Sequence, residues 1–291
     1  MVDVRIATRG SRLARIQSTW VGERLSGAHP GLTFELVEIT TVGDRDRTSP
    51  VTELTEMGAF VRSVQRAVLD GRADVAVHSA KDLPVDGPGG LVAVHPIRVR
   101  PFDVLCGATL DELPCGATVG TGSPRRAAQL EQLRPDITVA DIRGNVDTRL
   151  EAVDAGSVHA VVLAEAGLAR LGRLEAIGHR FPIEQMVPAP GQGALTVEAA
   201  TDTEAAVMLA AIDDPAVART VGAERLLLAR TGAGCRSAFG ALATEGFDGT
   251  TIAGFVRDER GPRRASVTRP TPADAVEALL AALDLDGRTD S

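Results

Sequence analysis

The sequence predicts an α/β fold: two lobes joined by two hinge strands, followed by a small α+β domain at the carboxyl end. Short buried runs alternate with helical stripes of apolar residues, and a strand–loop–helix unit occurs three times between residues 117 and 171. The pattern changes after Pro215, where strand-like runs lie between two helices. A chain of 291 residues, 44% of them hydrophobic, is long enough for more than one core.

The elements of the first lobe are predicted from hydrophobic spacing and from cap residues. They are, in order, a strand at 4–8, a helix capped by Ser11, a strand at 34–41, an irregular mobile loop at 45–57, a helix from Phe60 that stops at Gly71, and a strand at 74–78. The run SAKDLP (79–84) follows this last strand. It is therefore expected at the carboxyl edge of the sheet, where open α/β proteins bind their ligands.

The second lobe and the terminal domain follow from the same signals. Strands are predicted at 118–120, 137–142 and 159–164, helices after the caps Ser123 and Asn145, crossings between lobes at 96–101 and 187–193, a returning strand at 194–198, and a terminal unit of three strands and two helices. The predicted domains are residues 1–96 with 193–212, residues 100–188, and residues 215–291. Two α/β lobes joined by two strands, with a ligand between them, are typical of type II periplasmic-binding-protein folds.

Composition and charge exclude several classes of function. The formal net charge is −8 and the isoelectric point about 5.2, so the chain is a poor general binder of nucleic acid or anionic membranes. No apolar run reaches membrane-spanning length and the chain enters a strand at once, which predicts a soluble, cytoplasmic protein. Three widely spaced cysteines fit neither a disulfide framework nor a zinc site, and no motif predicts a metal or a nucleotide.

Lys81 is the single lysine among 31 Lys and Arg residues, and it lies directly before Asp82. Two interpretations stay open. The lysine is either a chance remnant in an arginine-rich chain, or the position needs a compact ammonium group where a guanidinium does not fit. Its place just beyond the carboxyl end of a predicted strand favours the second.

Arginines occur repeatedly at predicted helix starts, where the helix dipole disfavours positive charge. They are Arg9, Arg125, Arg126, Arg143 and Arg149. In one interpretation each side chain extends into water, where the penalty is screened. In the other they form a polyanion site together with exposed backbone N–H groups, since arginine suits bidentate binding of carboxylates. Their number at strand-to-helix junctions favours the polyanion site.

Cys235 lies in the run GAGCRS, among small residues and beside Arg236. A neighbouring cation favours the thiolate, which is the nucleophilic form, and small neighbours leave it accessible. The alternative is an inert thiol, which is the interpretation for Cys106 and Cys115.

Seven runs along the chain resemble the porphobilinogen deaminase family, also called hydroxymethylbilane synthases. In order they are IATRGSRLA, GAFVRSVQRAVLDGRADVAVHSAKDLP, VGTGSPRRAAQL, IRGNVDTRL, VLAEAGLARLG, PAPGQGAL and AERLLLARTGAGCRSAFGALA. Together they span most of residues 5–243 and are specific as a set, VHSAKDLP with RGNVDTRL above all.

The resemblance implies a transferase of tetrapyrrole (haem) biosynthesis that joins four porphobilinogen molecules head to tail and releases ammonia each time. It implies a dipyrromethane cofactor held through a thioether to Cys235. Asp82 matches the catalytic aspartate, whose carboxyl would protonate the departing amine and then stabilise the cationic methylenepyrrolenine. The implied carboxylate-binding residues are Arg9, Ser11, Lys81, Thr121, Ser123, Arg125, Arg126, Arg143, Arg149 and Arg170, with Ser79, Asn145 and Gln192 as neighbours and Phe60 near the incoming pyrrole.

Three departures from the family pattern bear on the site. The run TEMGAF (55–60) lacks the usual basic residue before the aromatic. The run RPFDV (100–104) replaces an acidic-Pro-Arg-Asp run, which predicts the loss of a hinge contact. The part after Ala243 is short and carries little signal.

Two rival functions from other classes are weighed against the enzyme. One is a non-catalytic cytosolic binding module for a polycarboxylate, and the other is the sensor lobe of a transcription regulator. No helix-turn-helix segment is predicted, and neither rival explains the GAGC run. The enzyme is expected to be a monomer that passes its product to uroporphyrinogen-III synthase.

Overall fold

The computed structural model describes residues 2–39, 53–232 and 238–285. These residues form two compact units, one drawn from Met1–Arg98 and Ala194–Ala218 and the other from Val99–Gly193 and Arg219–Ser291. From Arg219 onward, the residues of the predicted third domain thus group with the second unit, and their independence as a domain stays a prediction. Cys235 and residues 45–52 of the predicted loop lie outside the described residues.

The secondary structure alternates strands and helices up to the terminal part of the chain. The strands are β1 (Val2–Thr8), β2 (Leu32–Glu38), β3 (Val75–Ser79), β4 (Leu91–Val94), β5 (Asp103–Cys106), β6 (Thr118–Gly120), β7 (Thr138–Ala140), β8 (Ala160–Ala164), β9 (Ile177–Arg180), β10 (Leu195–Ala200), β11 (Ala238–Gly246), β12 (Gly249–Asp258) and β13 (Gly261–Arg269). The α-helices are α1 (Arg12–Ala28), α2 (Glu53–Leu69), α3 (Pro124–Leu133), α4 (Val146–Asp154), α5 (Glu165–Leu171), α6 (Glu204–Leu209), α7 (Pro215–Arg230) and α8 (Pro272–Ala282).

Two five-stranded sheets share one strand order and one set of directions. The first runs β2-β1-β3-β10-β4 and the second runs β7-β6-β8-β5-β9. In each sheet the first three strands are parallel, and the fourth, which follows a crossing between the units, is antiparallel to both of its neighbours. A three-stranded antiparallel sheet, β11-β12-β13, packs with α7 and α8 at the carboxyl end. The predicted fold class, with type II periplasmic-binding-protein-like lobes and a small α+β unit, is confirmed.

A helix packs on each face of the first sheet. Successive side chains of β1 point to opposite faces, so this strand contributes to the core on both sides. Ile6 packs with Val21 and Leu25 of α1 on one face. Ala7 packs with Val64 of α2 on the other. The strands and helices are therefore buried where they meet. Because β1 and β3 are parallel neighbours, their carboxyl ends lie side by side at one edge of the sheet.

The structure corrects three sequence-based boundaries. The helix α2 begins at Glu53, so residues 53–57 are helical rather than irregular, consistent with the good helix propensity of Glu, Leu and Met there. The strand β2 spans Leu32–Glu38, so it begins two residues before the predicted start at 34, while residues 40 and 41 of the predicted strand lie outside the described residues. The strand β5 was not predicted as a strand, because four fully buried residues carry no alternating pattern. Among the described helices, none combines the length and the apolar character needed to cross a membrane.

Candidate active site

Asp82 lies in a single 3-10 turn, Ala80–Asp82, that directly follows β3. The turn is anchored to the neighbouring strand, since the Ala80 N–H donates to the carbonyl of Ala194 at 3.1 Å. The side chains of Lys81 and Asp82 are both half-buried. The predicted catalytic carboxylate therefore lies at the sheet edge with access to solvent.

Gln17 supports this turn and was missed by sequence reasoning. Its side chain is buried in α1, and its Nε2 donates to the Ser79 Oγ at 3.1 Å, at the last residue of β3. The one signal in the sequence is a polar residue within the apolar stripe of a helix, which does not reveal the partner 62 residues away.

Arg9, Ser11 and Phe60 lie in the first unit. Arg9 and Ser11 follow β1 in the chain, and Phe60 lies in α2. Ser11 caps α1 as predicted, with its Oγ accepting from the Ala14 N–H at 3.3 Å. The exposed Arg9 guanidinium lies 4.4 Å from the centroid of the Phe60 ring, a cation–π contact. The structure thus brings Arg9 and Phe60 together, although 51 positions separate them in the sequence.

In the second unit, helix starts place the other predicted residues. Asn145 caps α4 by accepting from the Thr148 N–H at 2.9 Å, and the Ser123 Oγ caps α3. The Arg143 side chain is exposed near Asp141, while the Arg149 Nε donates to the Gly144 carbonyl at 2.9 Å. Arg143 therefore lies on the loop that follows β7, Arg149 lies in the first turn of α4, and the buried Thr121 lies on the loop that follows β6.

Arg170 differs from these exposed arginines. Burial lowers the pKa of its guanidinium to about 10, and no acidic side chain contributes to that shift. Its Nη2 donates to the Gly193 carbonyl at 2.9 Å. A guanidinium that has lost water without gaining a carboxylate is suited to bind one from a ligand.

Asp103 organises Arg125 and Arg126, and sequence reasoning missed it. It is 0% exposed, while the two arginines at the start of α3 are 4% and 6% exposed. The Arg125 Nη1 donates to Asp103 Oδ2 at 2.6 Å, and the Arg126 Nε donates to Oδ1 at 2.9 Å. The same guanidinium groups donate to the Val187 and Val162 carbonyls.

These contacts correct one expectation. Arg125 and Arg126 neither extend into water nor stand at the helix start without a counter-ion, and their direct binding of ligand carboxylates stays a prediction. The expected loss of a hinge contact in the run RPFDV also stays a prediction, although other contacts of that run are present. The Gln192 Nε2 donates to the Pro101 carbonyl at 2.6 Å and to Asp103 Oδ1 at 3.1 Å, so that run still contacts the returning crossing.

The pKa of Asp103 shows how strong this ion pairing is. Complete burial pushes the pKa of the carboxyl upward, but the charges of Arg125 and Arg126 outweigh burial and lower it to about 2. Asp103 is therefore ionised throughout the physiological range and neutralises part of the charge of the arginine pair.

The donor set fits a ligand with several carboxylates. Guanidinium groups and helix starts recognise carboxylates, whereas metal ions need clustered acids, histidines or thiols. In the described part of the chain, no group of three or more such residues could hold a metal ion. The residues present thus fit a cofactor that carries acidic side chains.

The two described cysteines differ in exposure. Burial raises the pKa of the Cys106 thiol to about 12, so that cysteine is inert, while Cys115 is exposed.

Fold and site together define an α/β protein with cationic groups after its strands, a donor set of the kind that suits a polycarboxylate ligand. Comparison with known proteins gives the family. The family profile described as "Porphobilinogen deaminase, dipyromethane cofactor binding domain" matches residues 4–208. The porphobilinogen deaminase of Roseiflexus castenholzii is 46% identical over 278 residues, 92% of each chain. That of Acidothermus cellulolyticus is 46% identical and covers 94% of this chain and 85% of its own. That of Mycobacterium avium is 47% identical, covering 82% and 76%.

The chain belongs to the porphobilinogen deaminase family. It is a transferase with hydroxymethylbilane synthase activity, which joins four porphobilinogen molecules head to tail, releases ammonia at each step and uses a dipyrromethane cofactor. This activity makes the non-catalytic binding module the weaker explanation of the cationic sites.

The Asp103 ion pair predicts a specific dependence of stability on pH. We expect Asp103→Asn to lower the free energy of unfolding at pH 7 by about 3–5 kcal/mol, because two guanidinium groups stay buried without their counter-ion. The folded-state pKa is depressed, so the contribution of ionisation, about 2 kcal/mol, is present above pH 4 and is lost as the pH falls towards 2. Urea unfolding between pH 2.5 and 7 measures both.

The control is Asp70→Asn, which removes the exposed pair between Arg66 and Asp70. That variant should differ from the wild type by less than about 1 kcal/mol at every pH. Equal stability of Asp103→Asn and the control would contradict the importance of the buried pair.

Proposed function

We propose that Asp82 is the general acid of each condensation and the group that stabilises the positive charge that follows. The supporting observation is that Asp82 and Arg9 follow neighbouring parallel strands, β3 and β1, at the same edge of one sheet. The edge therefore combines a solvent-accessible carboxyl with a cation that can hold a substrate carboxylate. The contact from Gln17 to Ser79 supports the turn on which Asp82 lies.

The chemical step balances around this carboxyl. Asp82 gives its proton to the amine of porphobilinogen, the carbon–nitrogen bond breaks and ammonia leaves. The resulting carboxylate stabilises the positive charge that is left on the substrate. Formation of the carbon–carbon bond releases a ring proton, which returns to Asp82 and restores the acid.

The remaining predicted residues serve as carboxylate ligands in this proposal. Arg170 has the strongest support, because its half-buried guanidinium has a pKa lowered by desolvation and no acidic side chain offsets that effect. Arg125 and Arg126 act mainly from inside the protein, through Asp103. The other proposed ligands of acetate and propionate groups are Arg9, Ser11, Ser79, Lys81, Thr121, Ser123, Arg143, Asn145, Arg149 and Gln192, with Phe60 beside a pyrrole ring.

Cys235 is the proposed attachment point of the dipyrromethane. The run GAGCRS supports it, and Cys106 is excluded by its burial. When bound, the dipyrromethane supplies the pyrrole end to which the first porphobilinogen is joined. The guanidinium and hydroxyl groups named above would hold its carboxylates.

Intact-mass spectrometry tests the attachment. We expect the purified protein to carry an added mass of two pyrrole units and to give a colour with Ehrlich's reagent, because the thioether survives denaturation. Cys235→Ser should lose both signals, and Cys115→Ser, which changes an exposed cysteine, should keep them. An unmodified wild-type protein, even after incubation with porphobilinogen, would refute the attachment and favour the binding module.

Substitution of Asp82 tests the catalytic role. We expect Asp82→Asn to lower kcat by about 10²–10⁴-fold, the usual contribution of a positioned general acid, while substrate affinity changes little. The matched control is Asp86→Asn, an exposed position four residues along the same loop, which should keep normal kcat. Steady-state release of ammonia measures both variants. Turnover of Asp82→Asn within a few-fold of the control would remove Asp82 from the mechanism.

The protein is further proposed to act in the cytoplasm as a monomer that does not bind nucleic acid. The net charge of −8 supports the last point. Its open-chain tetrapyrrole product requires a cyclising enzyme, and uroporphyrinogen-III synthase is the proposed recipient. Light scattering after size-exclusion chromatography should give the mass of one chain, 30.3 kDa, and a stable dimer would contradict the monomer.

A further inference from the structure

Glu224 is a fully buried carboxylate that has no part in the site described above. It lies in α7 and is 0% exposed. Its Oε2 accepts from the Gly191 N–H at 2.6 Å, and its Oε1 accepts from the Ala243 N–H at 2.8 Å. Each oxygen therefore holds a different segment: the crossing segment, residues 187–193, and the strand β11.

A separate set of contacts joins the same two segments. The Ala241 N–H of β11 donates to the Pro188 carbonyl at 2.9 Å. A Cβ at Gly240 would lie only 2.7 Å from the Val187 carbonyl oxygen, so the two backbones approach as closely as a glycine permits. The crossing segment and β11 thus contact each other directly, and Glu224 joins them at one end of that contact.

The position of this joint in the chain gives it a functional meaning. The helix α7 ends at Arg230 and β11 begins at Ala238, so Cys235 lies in the short connection between them. Glu224 belongs to the helix that enters this connection and bonds to the strand that leaves it. Its other partner, Gly191, precedes Gln192, whose side chain bonds to Asp103. Glu224 and Asp103 therefore hold adjacent residues of the crossing segment.

We propose that Glu224 is a positioning residue: it fixes both arms of the Cys235 connection to the crossing segment, and so sets where the covalent primer lies relative to the arginine pair at the start of α3. The inference rests on the proposed attachment at Cys235. A glutamate side chain suits this position because each of its two oxygens accepts a hydrogen bond from a backbone N–H group. Glutamine would turn a donating NH₂ group towards one of the two N–H groups.

Hydrogen exchange and kinetics of Glu224→Gln test this proposal. Loss of a charge-assisted hydrogen bond should speed exchange of the Gly191 and Ala243 amides by about 10- to 100-fold. Turnover should fall about tenfold with little change in KM for porphobilinogen, since the displaced primer reacts less often while substrate contacts stay. The matched control is Glu245→Gln, which breaks an exposed pair between α7 and β11, Arg219 with Glu245, and should change neither quantity.

Wild-type exchange and turnover in Glu224→Gln would overturn the proposal, as would an equal loss in Glu245→Gln. If Glu224→Gln does not fold, Gly240→Ala decides, because it pushes β11 from the crossing segment and leaves the carboxylate in place. Faster exchange at Gly191 with reduced turnover would then support the proposal, and unchanged values would refute it. A wild-type protein without a primer would refute the attachment at Cys235, while the exchange comparison would still decide whether Glu224 joins the two segments.

Discussion

The ion pairs of Asp103 are the interaction on which the arrangement of the second unit depends. Two adjacent guanidinium groups at the start of a helix repel each other, oppose the helix dipole and lose water on burial. One carboxylate, 2.6 and 2.9 Å from its donors, offsets these costs. Because Gln192 also bonds to Asp103, the same oxygen atoms join β5, the start of α3 and the returning crossing. Removal of this single carboxylate would detach β5 from both the start of α3 and the returning crossing at this point.

The burial of these arginines divides the cationic residues into two kinds. Arg125 and Arg126 are buried and shape the protein from inside, whereas the side chains of Arg9 and Arg143 are exposed to solvent. Arg170 lies between these extremes, since it is half-buried and no acidic side chain affects its pKa. An acidic protein with a net charge of −8 can therefore bind an acidic substrate, because local burial and geometry decide where positive charge is available.

Sequence reasoning succeeded where an interaction is local and failed where it is not. The caps Ser11, Ser123 and Asn145 each bond to an N–H three residues along, so residue type and position alone predict them. The partners of Asp103 lie 22, 23 and 89 residues away, and no periodicity connects them. The start of α2 at Glu53 was missed because the polar residues around it resemble a loop. The fold class was predictable because the alternation of strands and helices repeats along the chain.

Burial and hydrogen bonding also distinguish Asp103, Glu224 and Asp82 as candidates for the proposed general acid. A general acid must hold a proton near neutral pH and exchange it in every cycle. At pH 7 a group with a pKa of about 2 is protonated in roughly one molecule in 10⁵, so Asp103 cannot fill that role. Glu224 has both of its oxygens occupied by backbone N–H groups and no path to solvent. Asp82 alone among these three reaches solvent, on a turn anchored by backbone hydrogen bonds. The two buried carboxylates thus hold segments in place, and the half-exposed Asp82 is the one of the three that fits the proposed role of general acid.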